Sequence, residues 1–172
     1  MSDLNKEDVL AFEGDLLQGL LQAGEDAQSE TVSITIQRKG KTYFAFRIRP
    51  LTEQEYNEAA EKATTYERNR QLGVRIPQSR DDALFRSLLI YKATVDEDRQ
   101  KLWNNKAAWQ HFNVLSGPDL IDRVLLPGEK LAVVGKIDEL SGYGTDLEET
   151  AKNSSRPEDG QPSSTTSSSE SA

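Results

Sequence analysis

The sequence predicts an α+β fold: a β-hairpin near the N-terminus packed with about five α-helices, followed by a disordered C-terminal tail. Three observations predict it. Val32, Ile34 and Ile36 alternate with polar residues, and a β-branched and aromatic run resumes after a short turn, the pattern of two half-buried strands. From Thr52 onward apolar residues recur at steps of three and four between capping residues, which is helical spacing. Residues 153–172 hold eight Ser, two Thr and no large apolar side chain. A chain of 172 residues fits one domain with a tail better than two domains.

Taken in order, residues 5–23 place Val9, Leu10, Phe12, Leu16, Leu17, Leu20 and Leu21 on one face of an amphipathic helix. Asn5 suits its N-cap and Gly24 its stop. Gly14 and Gly19 lie inside it, each costing about 1 kcal/mol relative to Ala. The helix therefore needs a surface to pack on, in its own domain or on another protein. This sets residues 1–24 apart from a domain at 25–153.

Residues 25–30 are a polar connection, and the hairpin occupies 31–49 with Lys39-Gly40 at its turn. Two strands alone are barely stable in water, so helices must cover one face. Pro50 ends the second strand, and Thr52 with Glu55 spells a capping box. Tyr56, Ala59, Ala60, Ala63 and Tyr66 follow on one helical face. Residues 67–78, charged and containing Gly73 and Pro77, are expected to form a loop or flap. Ser79 is placed to cap the next helix, whose stripe of Leu84, Phe85, Leu88 and Leu89 marks it as the central core helix.

An acidic cap at Asp96-Glu97-Asp98 introduces a helix with Leu102, Trp103, Trp109 and Phe112. Ser116 caps a short helix with Pro118 in its first turn. Pro127-Gly128-Glu129 opens another, bearing Leu131, Val134, Ile137 and Leu140 and closed by Gly142. Thr145 and Glu148 form a last capping box, so that helices run to 152. Residues 154–172 are a Ser/Thr-rich tail with nothing to offset the entropy of ordering it.

The formal net charge is −8. In the tail Arg156 stands against Glu158, Asp159 and Glu170, which leaves −6 on residues 1–152. A body of that sign repels phosphate backbones unless its basic residues share a face. They cluster once, at Arg68, Arg70, Arg75 and Arg80, read as a solvated loop beside a helix end. No nucleic-acid partner is expected. Cysteine is absent, which removes disulfides, thiolate metal sites and thiol nucleophiles and suits a reducing compartment. With no signal-peptide pattern and no membrane-length apolar run, the chain reads as soluble and intracellular, with no membrane partner.

Catalytic signatures are missing. The single His111 has no second ligand or carboxylate at a fixed spacing, and no Walker-type loop, G-x-G-x-x-G or G-x-S-x-G occurs. Gly142-Tyr143-Gly144 follows a helix instead of opening one after a strand. Asp96, Glu97 and Asp98 lack the alternating spacing of a calcium loop. No catalytic residue, metal site or cofactor is assigned, and the chain is expected not to be an enzyme. Apolar material is more conspicuous. Leu16, Leu17, Leu20 and Leu21 on the first helix, with Trp103, Trp109 and Phe112, form the candidate partner-binding set. Ordinary core packing is the competing reading for each group.

Several stretches, taken in order, resemble one known family. They are Phe46-Arg47-Ile48-Arg49-Pro50-Leu51-Thr52 followed by EQEYNEAAEKAT, and then Tyr91-Lys92-Ala93-Thr94-Val95-Asp96. Gly117-Pro118-Asp119-Leu120-Ile121, Leu125-Leu126-Pro127-Gly128-Glu129 and Glu139-Leu140-Ser141-Gly142-Tyr143 come next, with Glu148-Glu149 to Lys152-Asn153 last. Over residues 30–153 the chain resembles the XkdN-like group of bacteriophage tail assembly chaperones of long-tailed phages and prophages of Gram-positive bacteria.

The resemblance implies a protein that binds the tape measure protein, a very long and largely helical chain, and keeps it soluble while tail tube subunits assemble around it. It implies further partners in the major tail tube protein and a frameshifted longer form of this chain, and no cofactor. The expected location is the host bacterial cytoplasm, with absence from the mature virion. A structural tail completion or connector protein retained in the virion is the competing role.

Overall fold

A computed structural model describes residues 6–144, with side-chain surroundings from Gly14 onward. The expected Asn5 cap, the Thr145–Glu148 capping box, the brief helix to Asn153 and the tail lie outside the described residues. Within them the chain is mixed α+β, with seven helices and two antiparallel hairpins.

Helix α1 (Lys6–Ser29) does not stop at Gly24. Glu25, Asp26, Ala27 and Gln28 continue it, and the Ser29 hydroxyl donates to the Asp26 carbonyl at 3.1 Å. The stretch at 25–30, read as a connection, is therefore mostly the last turn of the helix.

The first hairpin pairs β1 (Val32–Arg38) with β2 (Lys41–Ile48). Lys39 and Gly40 both adopt positive φ, 50° and 78°, as a two-residue turn matched to strand twist requires. The even-numbered residues from Val32 to Ile36 and from Phe44 to Ile48 turn inward, as the period-two pattern predicts. The outer edge of β2 is extended by the 93–95 segment. There the Arg49 amide donates to the Ala93 carbonyl (2.9 Å) and the Val95 amide to the Arg47 carbonyl (3.0 Å).

Helix α2 (Glu53–Ala63) starts on the expected box: the Glu55 amide donates to Thr52 Oγ1 (3.3 Å) and the Thr52 amide to Glu55 Oε2 (2.9 Å). The helix ends three residues before Tyr66. The β-branched pair Thr64-Thr65 turns the backbone extended, so Tyr66 lies on a strand and not on the helical face expected for it. The segment expected to be a loop is largely a second hairpin, β3 (Thr64–Arg68) with β4 (Arg75–Arg80), turning near Gly73 at φ 66°. Pro77 is tolerated because β4 is an edge strand.

Helix α3 (Asp82–Ala93) is capped by Asp81, which accepts from the Leu84 amide at 3.0 Å. Ser79 is committed to β4 and caps nothing. The single helix expected across 96–112 is two, α4 (Asp96–Lys101) and α5 (Lys106–Phe112), because Asn105 caps the second. The three acids at 96–98 sit in the first turn of α4, where Val95 occupies the cap without a side-chain bond. Helices α6 (Gly117–Val124) and α7 (Pro127–Leu140) begin at Ser116 and Leu126, and Gly142 takes the left-handed conformation at φ 88°. The core forms where α3 packs on α2, α6 and α7 and the first hairpin closes over them.

Candidate partner-docking surface

The body is closed without α1. Its core draws on both strands of the first hairpin, α2, α3, α6 and α7, plus Leu51, Trp103 and Leu125, and takes no side chain from α1 among the described residues. Leu16, Leu17, Leu20 and Leu21 are 56–70% exposed. On a helix they span an arc of about 140°, so they form one contiguous stripe. Core packing within this chain does not account for them.

The aromatic set divides. Trp103 is 2% exposed, edge-on to Phe46 at 5.3 Å and Phe44 at 5.9 Å. Its indole N–H donates to Thr94 Oγ1 at 2.9 Å. A side chain so enclosed has no surface to give a partner, so its place in the candidate set is corrected to core. Trp109 is half-buried, donating to the Trp103 carbonyl (2.7 Å) under the Lys106 ammonium. Phe112 is exposed, edge-on to His111 at 4.8 Å, and Leu115 beyond it is 88% exposed.

The β3–β4 arm was missed as a surface. Every residue from Gln71 to Arg80 is exposed, including Leu72, Val74 and Ile76. Arg75 stacks over the Tyr66 ring at 5.0 Å and pairs across the strands with Arg68. The signal that could have found it was the alternation Val74-Arg75-Ile76 after Gly73.

Charge elsewhere in the body is largely matched. Arg38 clamps Glu129 (2.7 Å), and Arg47 clamps Asp98 (2.9 Å), tying the first hairpin to α7 and α4. Both carboxyls are held below their ordinary range by these guanidinium hydrogen bonds. Groups depressed in the folded state add stability above their unfolded values, lost as pH falls through the folded ones. The urea midpoint is therefore expected to hold from neutrality to about pH 5 and to drop below about pH 4. Replacing Arg47 by Met should make that drop shallower; an unchanged acid limb would mean the clamp contributes nothing.

A groove of about 190 Å³ lies between β1 and α7, lined by Ile34, Ile36, Ala132 and Val133, with Glu129 as its titratable group. That carboxylate is already engaged by Arg38. Among the described residues no three His, Cys, Asp or Glu are grouped to hold a metal ion, and no helix is long and apolar enough to cross a membrane.

Comparison with known proteins adds one substantial match. The family described as phage XkdN-like tail assembly chaperone protein matches residues 17–153. The match begins inside α1, earlier than the quoted motifs do, and takes in both hairpins and every later helix. Among solved structures, the crystal structure of the protein yqbn is similar at 16% identity and a TM-score of 0.41, over 66% of this chain and 87% of that one. No curated protein matches.

Proposed function

This chain belongs to the XkdN-like phage tail assembly chaperone family, and from that premise we propose that it binds the tape measure protein and keeps it soluble while tail tube subunits assemble. The role is non-enzymatic and is carried out in the host bacterial cytoplasm, with the chain left out of the mature virion. The observation that supports this most is the α1 stripe, four leucines open to solvent on a helix whose described residues lend no side chain to the core.

A contiguous apolar stripe open to solvent on a charged protein marks an interaction site. A largely helical client offers the matching partner, an apolar stripe laid against an apolar stripe. Each leucine fully buried contributes about 1.5–3 kcal/mol, part of which offsets the freedom lost on association. Reversible binding follows, with several copies along one client. The exposed Phe112 and the half-buried Trp109 supply a second, smaller contact.

Co-expression with the tape measure protein tests the reading. The client's soluble fraction is expected to rise severalfold, and to return to its unassisted level when Leu16 and Leu20 are both replaced by Glu. The variant should keep its urea midpoint, because neither side chain belongs to the core. A client whose solubility ignores this chain would overturn the proposal. Abundant peptides of this chain in purified virions would instead favour a retained tail component.

A further inference from the structure

Among the apolar surfaces exposed on the described residues, α1 and the β3–β4 arm carry opposite charge. From Lys6 to Glu30 the sequence has one lysine against seven carboxylates. From Thr64 to Arg80 it has four arginines against one glutamate. Asp15, Glu25 and Asp26 on α1 and Arg68, Arg70 and Arg75 on the arm make no ion pair among the described residues, so their charge is available to a partner. Both surfaces stay exposed within one copy, so neither covers the other there.

We propose that the leucine face of α1 docks on the β3–β4 arm of a second copy of this chain. The acidic flanks of the helix would meet Arg68 and Arg75, and its leucines would meet Tyr66 and Leu72. Pairing of α1 with α1 would bring acidic flanks together, and pairing of arm with arm would bring arginines together, both repulsive. A contact between two different surfaces leaves one arm and one helix free at the ends, so it propagates head-to-tail into a ring or an open array. A client helix competes for the same leucines and would shorten the array; only this last step rests on the client reading.

Sedimentation of the purified full chain, with no other protein present, tests the contact apart from chaperone activity. The mass-average is expected to rise with concentration at low salt and to fall at high salt, since exposed charges are screened within about 10 Å at 0.1 M and about 3 Å at 1 M. The variants Leu16→Glu/Leu20→Glu and Arg68→Glu/Arg75→Glu should each weaken self-association on the order of a hundredfold. Mixed together, they should form a dimer and nothing larger, because one intact helix meets one intact arm. That complementation also establishes that both variants are folded. A monomer at every concentration, an arm variant that still self-associates, or a mixture that fails to dimerise would each overturn the proposal.

Discussion

Trp103→Ala is expected to cost about 3–5 kcal/mol of folding stability, a large share of the 5–15 kcal/mol typical of a domain. Three losses add up. The indole leaves a void where Phe44 and Phe46 pack edge-on, geometries worth about 0.5–1.5 kcal/mol each beyond area burial. Thr94, itself fully buried, loses the N–H that its hydroxyl accepts, while that hydroxyl still donates to the Ile90 carbonyl at 2.7 Å. The 103 carbonyl also accepts the Trp109 indole N–H, so a shifted backbone loosens α5. Urea unfolding followed by far-UV circular dichroism measures the loss, and Trp103→Phe should recover part of it. A change below about 1 kcal/mol, joined to weakened client capture, would return Trp103 to the docking surface.

Gly117→Ala is expected to destabilise by about 1–3 kcal/mol, against the usual gain when Ala replaces Gly in a helix. A Cβ at 117 would stand 2.7 Å from Tyr91 Cδ2 and 3.2 Å from the Trp103 carbonyl oxygen. The Tyr91 ring cannot yield cheaply, because its hydroxyl donates to Asn104 at 3.0 Å and the Arg99 guanidinium lies over it at 5.3 Å. Gly135→Ala is the control: a Cβ there meets nothing within 4 Å, and α7 should gain about 0.5–1 kcal/mol. Matching signs for the two substitutions in denaturant titrations would remove the steric account. Gly117 opens one of the motifs by which the family was recognised, and the close approach of α6 to Tyr91 supplies a reason for glycine there.

Local chemistry made much of the fold legible. A two-residue turn between alternating runs is specified by local residues, so the hairpin at 32–48 could be read from them even though helices must cover its face to hold it. The Thr52–Glu55 box and the Ser116 cap satisfy helix ends within three residues, so these starts could be read directly. Sequence pattern and structure part where local signals compete. Ser79 and Asp81 are both good caps, and the pairing of 75–80 with 64–68 decided for Asp81. The run from Asp96 to Phe112 has helical spacing throughout, and Asn105 divides it by capping a new helix from within.

By itself the sequence determined the α+β class, the family and the amphipathic character of α1, since each depends on residue order and spacing. Which apolar residues face inward was decided only by tertiary structure. Leu16, Leu20 and Trp103 are all large and mainly apolar on paper, yet the leucines are exposed and the indole is enclosed. The reason is that burial depends on what the rest of the chain brings alongside. The first hairpin and α3 converge on Trp103, and no core element covers Leu16 or Leu20.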